Sequence, residues 1–142
     1  MSRLSPLDIL VAGLFWQLTF LGGCLLAEAV SDPLAIYDTF RVVMPAPVWG
    51  AVFVGAGHYL LFAHIRQRRM QASTPFTIKH GRLTPTTRAL FSAGMLAFVC
   101  FAAIAVTYLV HWGWTITTAQ AMYGPAAVMS VFVASEGRPP WK

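Results

Sequence analysis

The sequence predicts an all-α membrane protein with four transmembrane helices, both chain ends in the cytoplasm, and an interfacial amphipathic helix between spans one and two. Apolar residues make up 57% of the chain and charged residues only 11%, whereas soluble domains carry about 25% charged residues. Nine of the ten Lys and Arg residues flank the apolar segments on one side, and only Arg41 lies on the other. This positive-inside bias predicts a multi-pass protein of a bacterial inner membrane.

Span one is predicted at about residues 7–29. Its apolar run has the ~20 residues needed to cross ~30 Å of hydrocarbon. The run is long and no clean cleavage site follows it, so we expect it to be retained rather than removed as a signal peptide. Gln17 and Thr19 interrupt the run, and Gly22 and Gly23 would permit another helix to approach closely.

An interfacial helix is predicted at about residues 33–44. Ser31-Asp32-Pro33 is a typical helix start, because Asp accepts from free backbone N–H groups and Pro suits the first helical position. Tyr37, Phe40 and Met44 fall on one helical face. The segment is too short to cross a bilayer, so we expect it to lie in the outer interface.

Span two is predicted at about residues 47–65, followed by a cytoplasmic loop at 66–88. Small residues dominate the span, and those expected to pack against other helices are Gly50, Gly55 and Gly57. The loop carries six of the ten basic residues. Its first three, Arg66, Arg68 and Arg69, are predicted to contact anionic phospholipid headgroups.

Spans three and four are predicted at about residues 89–110 and 115–134. Thr84-Pro85 repeats the pattern of a helix start ahead of span three. The short connection between these spans predicts an antiparallel hairpin. Gly124 and Pro125 are predicted to break and kink span four. Residues 1–142 thus form a single membrane domain.

The candidate chemistry is sparse. His58 lies inside span two and His111 at the outer end of span three, too far apart to share a haem or a metal ion. Glu28, near the outer interface, is the only acidic residue expected within a few residues of a span core, which argues against a proton-coupled carrier. No catalytic motif occurs. The sequence therefore predicts no catalytic residue, no cofactor and no metal.

Polar residues within the spans are predicted to line the bundle interior. This predicted polar interior comprises Gln17, Thr19, His58, Thr117 and Gln120. His58 is expected to hydrogen-bond to one of the other polar side chains or to a carbonyl there. The favoured interpretation is that these groups hold helices together.

The segment around Met44-Pro45 and Trp49-Gly50 leads into a Gly-rich span and a basic loop. In this order of features the first 70 or so residues resemble small multi-span membrane proteins of tailed bacteriophages and prophages, which are often holin-like. The resemblance implies pores or lesions formed by oligomerisation and transfers no site residue. An accessory subunit of a larger membrane complex is the alternative, and a small transporter is third. The expected partners are the lipid bilayer and other copies or other membrane subunits, not nucleic acid.

Overall fold

The computed structural model describes residues 5–28, 44–73, 85–112 and 118–136, and helices make up almost all of them. The four helices are α1 (Pro6–Glu28), α2 (Ala46–Ser73), α3 (Pro85–Trp112) and α4 (Thr118–Glu136). The predicted all-helical fold is confirmed for this part of the chain. All of the predicted interfacial helix except Met44 lies outside the described residues, as do Gly113 and Trp114 of the connection between the last two spans. His111 and Trp112, which were predicted to belong to that connection, are the last residues of α3.

Three helices are long and apolar enough to cross a membrane. The candidate spans are Pro6–Ala27, Ala46–Met70 and Arg88–Thr107. In α4 the apolar segment is shorter, Tyr123–Ser135, and at ~1.5 Å per residue it covers about 20 Å of a hydrocarbon layer that is ~30 Å thick. The fourth span therefore stays a prediction.

The helix α2 extends well past its apolar segment. It continues beyond Arg66 to Ser73, so the predicted loop at 66–88 is wrong over its first two turns. Charged residues end a hydrophobic span without ending a helix, and Arg, Gln, Met and Ala are all good helix formers. The helix α3 begins at Pro85, where a proline without an N–H group suits the first turn.

The helix α4 is not broken at its proline. Pro125 lies inside α4, which continues to Glu136, so the helix does not break there, and the kink stays a prediction. A proline removes one backbone hydrogen bond, but helices in membranes accommodate this loss when nearby groups satisfy the freed carbonyl. A Cβ atom added to Gly124 would meet no atom within 4 Å, so this glycine is not required for close packing within the chain.

The helices α1 and α2 form an antiparallel pair. Gly22 near the end of α1 lies against Gly50 near the start of α2, and Asp8 at the start of α1 lies against His64 towards the end of α2. A hydrogen bond of 2.8 Å between Tyr59 Oη and Ser92 Oγ joins α2 to α3.

The helices α3 and α4 also pack closely. A Cβ atom on Gly94 would lie 2.8 Å from the backbone of Ala134. Apolar side chains fill the common core of the described helices, and the largest of them are Leu14, Leu18, Phe53, Leu60 and Phe101. Other large apolar side chains cover the outside of the bundle, among them Ile9, Trp16, Phe20, Phe62 and Phe132. A bundle that is apolar inside and outside suits lipid as its solvent.

Candidate functional site

The first turn of α1 is capped by its own residues. The Asp8 carboxylate oxygen Oδ2 accepts from the Ser5 backbone N–H at 2.7 Å and from the Ser5 hydroxyl at 3.0 Å. The Ser5 hydroxyl oxygen lies 3.3 Å from the Asp8 backbone nitrogen and accepts from it. This is a capping box with Asp in the third helical position, and Pro6 takes the first. The cap places a carboxylate at the start of α1.

The same carboxylate reaches across to α2. Asp8 Oδ1 lies 2.7 Å from His64 Nε2, and Asp8 Oδ2 forms an ion pair with Arg68. The Arg68 guanidinium also donates to the Ser5 hydroxyl at 2.7 Å. The exposed fraction of the side chain is 8% for His64 and 18% for Asp8. We call Ser5, Asp8, His64 and Arg68 the Asp8 network. It fastens α1 to α2 at the basic end of the pair.

Sequence reasoning missed the Asp8 network. The expectation that Glu28 is the only carboxylate within a few residues of a span core is wrong, because Asp8 directly precedes the apolar residue Ile9. The signal was present as Ser5-Pro6-Leu7-Asp8, which has the form of a helix start. Arg68 binds Asp8 and Ser5 through one guanidinium nitrogen while its side chain stays 43% exposed, so its predicted lipid contact stays a prediction.

The predicted headgroup contacts of the other two arginines also stay predictions. Arg66 and Arg69 are exposed on the same helical segment as Arg68. They lie at the end of α2 that carries the Asp8 network.

Three glycines lie in the contact between α1 and α2. A Cβ atom added to Gly22 would stand 2.7 Å from the carbonyl oxygen of Gly50, and one added to Gly50 would stand 2.8 Å from that of Gly22. A Cβ atom on Gly57 would lie 3.2 Å from Leu18 Cβ. Since real Cβ atoms do not approach backbone atoms as closely as 2.7 Å, Gly22 and Gly50 set the distance between the two helices.

The other two predicted packing glycines lie elsewhere. A Cβ atom on Gly23 or Gly55 would meet no atom within 4 Å. Among the described residues, therefore, neither glycine packs against a neighbouring helix, contrary to the prediction. On a helix, Gly23 is rotated by about 100° from Gly22, which turns it away from α2.

His58 lies on the outside of the bundle, not in its interior as predicted. Its Nδ1–H donates to the Val54 carbonyl at 2.8 Å, one turn earlier in α2. Its ring packs edge-on against Phe15 of α1, with 5.2 Å between the ring centroids. The hydrogen bond therefore goes to a carbonyl of the same helix, not to a group in the bundle interior as expected. The buried positions Phe53 and Leu60 occupy the opposite face of α2.

Of the rest of the predicted polar interior, only Gln17 and Thr19 have side chains among the described residues. Thr19 Oγ1 is buried and has no hydrogen-bond partner among the described residues, while Gln17 is half-buried. Thr117 and the side chain of Gln120 lie outside the described residues. Two further polar side chains, Thr107 and Ser130, each donate at 2.8 Å to a carbonyl of their own helix.

The described residues do not assemble a metal site. No group of three or more His, Cys, Asp or Glu side chains among them could hold a metal ion. The structure instead shows a polar network at one end of the α1–α2 pair and a histidine on its outer surface. No protein family, curated protein or solved structure matches this chain. The resemblance to phage membrane proteins therefore stays a prediction.

Proposed function

We propose that the chain is an integral protein of a bacterial inner membrane that permeabilises the bilayer by associating with copies of itself, in the manner of a holin. The observation that carries this proposal is the contrast between a closed apolar core and polar groups on the outer surface. A protein built in this way would form a path for water between copies rather than through one copy.

The closed core is the first half of the argument. Within the described helices, bulky side chains such as Phe53 and Phe101 are almost completely buried at the centre of the bundle. The hydroxyl groups of Thr107 and Ser130 each donate a hydrogen bond to a carbonyl of their own helix. These residues offer no chain of polar side chains through the core, which favours an assembly over the alternative of a small transporter.

The outer surface is the second half of the argument. His58 stands near the middle of the candidate span Ala46–Met70 and is exposed. Polar side chains at that depth are costly in lipid and by default indicate a functional contact. The exposed His58 therefore favours a function carried out between molecules, either with further copies or, in the alternative, as a subunit beside another membrane protein.

Permeabilisation should depend steeply on protein density. We expect the purified chain, reconstituted into vesicles of phosphatidylethanolamine and phosphatidylglycerol, to release a trapped dye only above a threshold ratio of protein to lipid, because each lesion needs several copies. The measurement is dye fluorescence over a dilution series. Vesicles that stay sealed at every density would overturn the proposal in favour of an accessory subunit. Release proportional to density, selective for one solute, would instead indicate a transporter.

We further propose that both chain ends lie in the cytoplasm, with Arg66 and Arg69 among anionic headgroups. An alkaline phosphatase fused at Ser73 or after Lys142 should then be inactive, because this reporter folds only in the periplasm. Fusion near Asp38 or Gly113 should give an active enzyme. The reverse pattern of activity would exclude this topology.

A further inference from the structure

An unused hydrogen-bond acceptor faces outward at the middle of α2. Because Nδ1–H of His58 donates to the Val54 carbonyl, Nε2 of the neutral ring carries a lone pair and acts as an acceptor. Among the described residues this nitrogen has no partner. The face of α2 that carries it also presents Ala51 and Gly55, both exposed.

An unused donor lies at the same depth on α1. Trp16 follows Phe15, whose ring touches His58, and it stands near the middle of the candidate span Pro6–Ala27. Its side chain is 68% exposed, and its indole N–H has no acceptor among the described residues. Tryptophan in membrane proteins is enriched at the two interfaces, where its N–H meets water or headgroups. At mid-span neither is present.

Both groups therefore need a partner that lipid does not supply. An unsatisfied polar group is costly in hydrocarbon, where no water can pair with it. One donor and one acceptor at a common depth satisfy each other if they meet. They do not meet within one chain.

We propose that the α1–α2 pair associates with a second copy of this chain, with the Trp16 indole N–H of one copy donating to His58 Nε2 of the other. All copies of a membrane protein insert in one orientation, so Trp16 of each copy stands at the level of His58 in its neighbours. Ala51 and Gly55 are separated by one helical turn on the His58 face, and small residues in this spacing permit two helices to approach closely. This inference deepens the proposed function, on which it rests, by naming the contact between copies.

The test is Förster energy transfer between two populations of the full chain, labelled at the C-terminus and reconstituted into the same lipid vesicles. Trp16→Phe keeps an aromatic ring and removes the donor, while His58→Ala removes the acceptor. Each should weaken association by about threefold to about twentyfold, the range for hydrogen bonds between membrane helices. The double variant should associate at least as tightly as the less tightly associating single variant, because both changes remove the same bond.

Mixing the two single variants gives a sharper result. A Trp16→Phe copy still has the acceptor and a His58→Ala copy still has the donor. Mixed pairs therefore keep a bond that neither variant can form with itself, and energy transfer between the two variants should exceed that within either. Phe132→Leu, at an equally exposed aromatic residue on α4, is the control and should leave association unchanged.

Three outcomes would overturn the inference: no energy transfer in the wild type, equal association in all variants, or mixed pairs no tighter than either variant alone. Both substituted side chains are exposed, so unfolding in detergent should be unchanged and will reveal any general loss of fold. Dye release is recorded on the same vesicles. Association through this bond in sealed vesicles would refute the proposed function alone, whereas dye release that neither variant affects would refute this inference alone.

Discussion

Replacing Gly22 with alanine is expected to destabilise the α1–α2 pair by about 1–3 kcal/mol, the usual cost of overpacking a well-packed contact. The new methyl group would stand 2.7 Å from the Gly50 carbonyl oxygen and 2.9 Å from the Val54 backbone nitrogen. Backbone atoms cannot move aside as a flexible side chain can, so the two helices must separate. The measurement is the midpoint of unfolding in mixed micelles titrated with SDS, followed by circular dichroism.

The neighbouring glycine supplies a matched control. Gly23→Ala makes the same chemical change one residue later, where the added Cβ atom meets nothing within 4 Å. Alanine is the better helix former by up to about 1 kcal/mol, so this variant should be as stable as the wild type or slightly more stable. Equal destabilisation by the two substitutions would show that α1 is rotated differently against α2.

This pair of glycines also shows where prediction from the sequence stops. The helices follow from apolar segments bounded by proline and charge, and so they are largely predictable. The rotation of each helix is not, because in lipid the outer face is as apolar as the core. Leu18 is completely buried while Phe20 is 63% exposed, yet both are large apolar residues. Without amphipathic periodicity the sequence could not distinguish Gly22 from Gly23.

Removing the Asp8 carboxylate should be at least as damaging as Gly22→Ala. Asp8→Asn would break the ion pair with Arg68 and weaken the contacts to His64 and Ser5. His64 is buried, and its partner on α1 would change from a carboxylate to a neutral amide, which forms a weaker hydrogen bond. We expect a clear fall in the midpoint of the same SDS titration.

Substitutions of two nearby arginines distinguish the loss of the ion pair from a general effect of charge. Arg68→Ala should destabilise the wild type but have much less effect in the Asp8→Asn background, because its partner is already gone. Arg66→Ala removes an exposed charge from the same helical segment and should be nearly silent in both backgrounds. Independent effects of Asp8→Asn and Arg68→Ala would contradict the network.

Only part of the Asp8 network could be predicted from the sequence. Ser5-Pro6-Leu7-Asp8 identifies a capped helix start from local chemistry alone. The partners of Asp8 on α2 depend on the register of the antiparallel pair, which Gly22 and Gly50 fix at its other end. His58 was misplaced for a related reason. A polar residue in a span is expected to face the bundle interior. Nothing in the neighbouring sequence shows that a carbonyl of the same helix accepts one ring N–H or that the ring faces outward.

The separation of Asp8 from Arg68 along the chain bears on how the protein is made. The two residues stand 60 positions apart, so the ribosome completes α1 and the whole apolar part of α2 before the guanidinium exists. Until His64 and then Arg68 have been added, the Asp8 network offers the carboxylate only the cap at Ser5. The first helix gains its counter-ion from the second, so we expect the helical hairpin, rather than the single helix, to be the unit that settles into the bilayer.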